Sequence, residues 1–279
     1  VADSALHPVD SFNTFGRALE WLHAHQPLLA RELEQRRDTL LDFAFLRHVS
    51  YGCRQVFSAD RWALTGEAGV FLDPFYSPGS DFIAIGNRYI TELIALARAG
   101  QPVGPYARIY EQLYMSFYEN TLTLYRDQYP MFGDAEVMPI KVIWDYTYYW
   151  GVLCQLVFQN RLTDLALLGS VRDALERAQA LNGRMQQFFR RWHAASRNRN
   201  EPVMLDQREL DWFVAMNRGL HDVLSTDEVA SRLRANVATM HALAAAIGRR
   251  ASSACPGLDA REAGGDDAVS APSLFRLAA

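Results

Sequence analysis

The chain is poor in cysteine: Cys53, Cys154 and Cys255 lie far apart, form no CxxC pair and are odd in number. That excludes a disulfide scaffold and argues against a zinc site, and it suits a reducing compartment, so a cytoplasmic location is the expectation. A long apolar run is missing too. Asp145 interrupts the best candidate, so no membrane span is expected, and nothing reads as a signal peptide. Positive charge is not concentrated anywhere. The 28 Lys and Arg against 32 Asp and Glu leave a formal charge of −4, and the arginines are spread along the chain, which gives no electrostatic footprint for nucleic acid. Nothing matches GxGxxG, the glycine pattern that seats a dinucleotide pyrophosphate on a helix N-terminus.

What is present is enough apolar material, 49% of 279 residues, to bury a core in one or two domains. The most informative stretch is 61–87, RWALTGEAGVFLDPFYSPGSDFIAIGN. A short apolar run after Trp62 leads into Gly66 and Gly69, Asp73-Pro74 re-aims the chain, and a helix starts near Gly79. Glycine permits positive φ and close ligand approach, whereas Pro74 and Pro78 stiffen the loop between them. The helix that follows opens with unsatisfied N–H groups, able to face an anion or an electron-rich ring edge.

In order and spacing, this stretch resembles the second flavin-binding motif of flavin-dependent monooxygenases and, more closely, of flavin-dependent halogenases of the tryptophan halogenase superfamily. The matching residues are Gly66, Glu67, Asp73, Pro74, Ser77 and Gly79, with Pro78 among them a further cofactor-binding candidate, over a resemblance that spans about 40–96. The resemblance implies FAD, with Glu67 and Asp73 on the flavin side chain, the backbone of Ser77 to Gly79 at the ring, and Tyr76 facing substrate or flavin. The sequence departs from the pattern in three ways. Glu67 stands where the family has an aspartate, Tyr76 where tryptophan-specific members have an acid, and Pro78 has no N–H to offer a halide. An aromatic at Tyr76 is closer to members that act on phenolic or pyrrolic substrates.

The implied fold is an α/β edge of a Rossmann-like, monooxygenase-type flavin-binding domain over 1–100, with strands in 41–57 and at 62–65. A mostly α-helical substrate domain follows over 101–250, with a disordered tail over 251–279. The implied activity is that of an oxidoreductase acting on a small aromatic substrate, free or carrier-bound, as halogenase or monooxygenase through a flavin hydroperoxide. Since the fingerprint and the family's essential lysine are not in the sequence, the chain is expected to be incomplete and inactive alone. It would need an N-terminal FAD-binding half, or a flavin reductase, as electron source. The alternative is a non-catalytic helical binding module that has lost or never had flavin.

Beyond the motif, helical periods dominate. Pro27 divides 11–37 into two helices, and His23 and His25 read as surface residues. Residues 80–99 form one helix ended by Gly100 and Pro102. Tyr106, Tyr110, Tyr114 and Tyr118 recur every fourth residue, as a core stripe or an aromatic wall. The helix at 137–159 crowds Trp144, Tyr146, Tyr148, Tyr149 and Trp150 into two turns. Trp144 and Tyr148, with Tyr76, are the candidate substrate pocket. Lys141 and Asp145, at i and i+4, read as an ordinary helical ion pair. Long helices are expected at 164–193, 206–224 and 226–247, the last capped by Thr226 or Asp227. No catalytic acid or base is assigned.

Overall fold

Proline and capping side chains account for most helix starts in the computed structural model, which describes residues 6–47, 49–197 and 205–265. Two compact units result, one within Val1–Tyr51 and the other within Gly52–Ala279.

The first unit holds α1 (Phe15–His25) and α2 (Pro27–Gln35). The Thr14 side chain accepts from the Arg17 N–H to start α1, and Pro27, at the first position of α2, makes the break. The two helices pack on each other, and His23 reaches Glu34 at 3.0 Å. Both His23 and His25 are exposed.

The second unit contains α3 (Pro78–Arg98), α4 (Val103–Leu122), α5 (Met138–Tyr148), a π-helical turn (Tyr149–Cys154), α6 (Gln155–Phe158), α7 (Leu165–Ser170), α8 (Arg172–Ala195), α9 (Asp211–Arg218) and α10 (Thr226–Ala254). Pro78 occupies the first turn of α3, and Gly100 ends that helix at φ 72°. There the Gln101 N–H returns to the Leu96 carbonyl and the Gly100 N–H to Ala97, a closure that requires the left-handed residue. Ser225, one residue before the expected cap, starts α10: its side chain accepts from Glu228 N–H while Glu228 reaches back to Ser225 N–H. The long helix expected at 164–193 is broken at Val171, where the Ser170 hydroxyl closes onto the Leu167 carbonyl. The stretch 251–254, placed by expectation in the tail, completes α10, and Ala260–Ala263 forms a 3-10 turn. The rest of that tail, 266–279, lies outside the described residues.

The expected α/β edge is not formed: the fold is all-helical, and the described residues contain no strand and no sheet. The extended 52–65 segment makes one isolated antiparallel bridge, Phe57 with Ala63, supported by Leu64 N–H to the Val56 carbonyl. The reason lies in where its backbone donors go. The Glu111 carboxylate on α4 takes the N–H groups of Val56 and Phe57 at 2.8 and 2.7 Å, which a neighbouring strand would otherwise need to accept. Alternation of side chains was legible, but a helix side chain replaced the partner strand.

Two apolar clusters fill the second unit. Trp144, Phe188, Phe189, Trp192, Phe213, Met240 and Leu243 join α5, α8, α9 and α10. Val56, Phe57, Phe82, Tyr89, Tyr110 and Tyr114 join the extended segment to α3 and α4, a cluster that continues to α6, α7 and the start of α10.

A tyrosine-lined cavity as the candidate functional site

Polar side chains come together around a cavity of about 210 Å³ inside the second unit. Ile85 of α3, Phe117 of α4, Tyr146 of α5, Leu153 of the π turn and Leu175 of α8 supply its apolar surface. The tyrosine stripe of α4 faces elsewhere: Tyr110, Tyr114 and Tyr118 are buried against Phe57, Phe82 and Tyr89, as a core stripe does. The neighbouring face of α4, with Leu113 and Phe117, meets the cavity.

One wall is built on Asp145. Lys141, the only lysine in the sequence, lies fully buried one turn earlier and places Nζ 2.5 Å from Asp145 Oδ2. The Tyr76 hydroxyl donates to the same oxygen at 3.1 Å, and Gln186 Nε2 donates to Oδ1 at 2.7 Å. Behind them Gln186 also donates to Asn182 Oδ1, which receives the Trp144 indole N–H at 2.9 Å. This is therefore not a surface i,i+4 pair but a buried one, whose desolvation must be offset by mutual attraction and by every surrounding hydrogen bond. Burial, then the negative charge of Asp145, push the Tyr76 phenol far above its ordinary range and keep it protonated.

Tyr76 reaches this wall through unusual backbone. Tyr76 and Ser77 are consecutive left-handed residues, at φ 64° and 54°. Such conformations cost on the order of 1–3 kcal/mol each and persist only where the surroundings impose them. Here the Asp145 hydrogen bond, the tilted contact with Phe75 at 4.4 Å and the edge contact with Tyr146 at 5.8 Å supply that constraint.

One helical turn past Asp145, the Tyr149 hydroxyl donates to a second carboxylate, Asp81 in the first turn of α3, at 2.8 Å. Tyr149 begins the π turn, whose Gly151 carbonyl is taken up by Asn236 Nδ2 at 2.8 Å from α10. A π turn loosens the helical ladder and is common at functional sites. Burial raises the Asp81 carboxyl, partly offset by the Tyr149 hydrogen bond, and burial pushes the neighbouring Cys154 thiol up to about 12.

Among the sequence-derived candidates, Tyr76, Pro78 and Tyr148 line the cavity. Trp144 does not: it is wholly buried in the other apolar cluster and serves the cavity only through Asn182. Asp81 and Tyr125 were not singled out as site residues, and no spacing signal separates them from ordinary helix-start and core residues. Lys141 did carry one, as a lone lysine among PIKVIWDYTYYW.

The corner carrying the proposed flavin residues is turned on itself. Gly66 holds φ 53°, and an added Cβ there would collide with Ile83, so glycine is required for the corner to close on α3. The Glu67 carboxylate sits beside Gly79, where an added Cβ would lie 3.3 Å from Oε1, so a protein carboxylate already faces the start of α3. Asp73 Oδ1 accepts Phe75 N–H at 2.8 Å, Tyr129 hydrogen bonds to the same side chain, and Ser77 N–H returns to the Pro74 carbonyl at 2.9 Å. With these groups engaged, and a cavity sized for one small ring system, this chain's residues do not by themselves fit FAD. Among the described residues, no group of three His, Cys, Asp or Glu is placed to hold a metal ion, and no helix is long and apolar enough to cross a membrane.

Neither a family model nor a solved structure matches the chain. The chain is 23% identical over 155 residues to a flavin-dependent halogenase, chlA, of Dictyostelium discoideum, across 55% of this chain and 24% of that relative. The match thus spans about a quarter of the curated relative's length. What the comparison supports is distant kinship to a flavin-dependent halogenase.

Proposed function

We propose that this chain is the substrate-holding part of a flavin-dependent oxidoreductase, and that its cavity binds a small aromatic ring. The observation that carries the reading is the cavity, walled by Phe117, Tyr146 and Leu153 with two carboxylates at its edges, in a chain distantly related to a halogenase. Apolar, aromatic walls with a few fixed polar groups are what a small organic ligand requires. In this reading Asp145, held by Lys141, Tyr76 and Gln186, fixes the shape of one end, and Tyr76 presents its ring to the bound molecule. Flavin is held by another part of the protein, in keeping with the missing glycine fingerprint and with the closed Gly66 corner. Halogenation and oxygenation both remain within the proposal, because the choice between them belongs to chemistry at the flavin.

Two titrations test it. Calorimetry of the chain with indole and phenol is expected to show one saturable site, weakened by Ser116→Trp at the cavity wall. Flavin absorbance is expected to co-elute with the chain only after a polypeptide carrying the dinucleotide fingerprint is added. A second reading, a helical binding module that never meets flavin, is favoured by the self-engaged corner. Ring binding with no flavin retention under either condition selects it.

A further inference from the structure

Several of the cavity's hydrogen-bond donors are already committed to the protein. Tyr76 donates to Asp145, Tyr149 to Asp81 and Tyr125 to the Phe75 carbonyl. Asn120 commits its amide N–H to the Ser116 carbonyl, and Thr121 its hydroxyl to the Phe117 carbonyl. All five line the cavity, and each of these donors already serves a protein acceptor. What they leave for a ligand is lone pairs.

The charge around the cavity is one-sided. Lys141 balances Asp145, whose two oxygens accept from Lys141, Tyr76 and Gln186. Among the described residues no lysine or arginine pairs with Asp81, and Tyr149 is its hydrogen-bond partner. A carboxylate half-hidden from water without a counter-charge is disfavoured in its ionised form, and a cation beside it reverses that preference.

We infer that the cavity takes a small aromatic ring bearing a protonated amine on a short arm, with the ammonium on the Asp81 carboxylate and the ring against Phe117, Tyr146 and Leu153. This rests on the reading above that the cavity holds an aromatic molecule, and it adds the class of that molecule. A ligand cation supplies the counter-charge that Asp81 lacks, and a charge-assisted bond of this kind is stronger than a neutral one.

Three ring-matched probes decide it by calorimetry of the chain at neutral pH: phenethylamine, 2-phenylethanol and phenylacetate. The expected order is amine, alcohol, carboxylate, with the amine bound roughly tenfold or more tighter than the alcohol. Asp81→Asn is expected to remove the preference, so that amine and alcohol bind that variant with similar affinity. In the unmodified chain the preference is expected to fade as pH drops through the Asp81 titration. Equal binding of amine and alcohol by the unmodified chain overturns the inference and leaves the aromatic-cavity reading standing, a result that needs no variant to fold. An amine preference that survives in folded Asp81→Asn also overturns it. Binding of none of the three, with helical content intact by circular dichroism, overturns both.

Discussion

Asp145 and Asp81 border the same cavity and differ in what surrounds them. Asp145 is 4% exposed, carries a buried ammonium and accepts from three side chains on the loop, α5 and α8. Asp81 has one phenol and the start of its own helix. The first carboxylate is a structural joint, since its charge is neutralised and both oxygens are occupied. The second retains unmet capacity, which is what a recognition group needs. The difference teaches that a carboxylate in a pocket is assigned by counting its partners, not by its presence there.

The largest expected effect breaks the Asp145 side. Lys141→Met strands a buried carboxylate and is expected to lower stability by about 3–5 kcal/mol in urea unfolding, while Lys141→Met with Asp145→Leu recovers most of the loss. A loss near zero for the single variant would mean that the ammonium is not what holds Asp145. Next comes Gly66→Ala, which places a Cβ at positive φ and against Ile83. It is expected to cost about 2 kcal/mol and, by displacing the start of α3, to weaken amine binding at Asp81 while leaving the Lys141 pair in place.

Asn236→Ala removes the partner of the Gly151 carbonyl beneath Tyr149. The expected loss is about 1–2 kcal/mol by denaturant unfolding, with a lower affinity for cavity ligands. The smallest effect belongs to Asp81→Asn. The folded carboxyl is raised by burial, so its contribution to stability is full at pH below the unfolded carboxylate's range and is lost as pH rises through the folded one. Asparagine removes that slope. Thermal unfolding measured across the acid range should therefore fall less with rising pH in Asp81→Asn than in the unmodified chain. Identical slopes would show that Asp81 is better solvated than its burial implies.

Much of the helical fold was legible because its signals are local. Pro27, Pro78 and Gly100 mark helix ends through φ alone, and the four-residue repeat of tyrosines in α4 describes a buried stripe. The strands expected around Phe57 and Ala63 were not legible as absent, because their fate turned on Glu111, 54 residues away, which took the backbone donors a sheet would have used. Of the candidate pocket, Tyr76 and Tyr148 reach the cavity and Trp144 does not, a distinction among residues in one aromatic run that periodicity alone cannot make.

By itself, then, the sequence determined the helix ends marked by Pro27, Pro78 and Gly100, which faces are apolar and that one lysine lies among hydrophobic neighbours. These follow from backbone torsion preferences and from side-chain spacing within a few residues. Only tertiary structure decided that Lys141 and Asp145 are buried, that Tyr76 reaches Asp145 across 69 residues and that Asp81 is left with a single phenol. Partner count depends on contacts between distant segments, and a carboxylate's character is set by those partners and by the water they exclude.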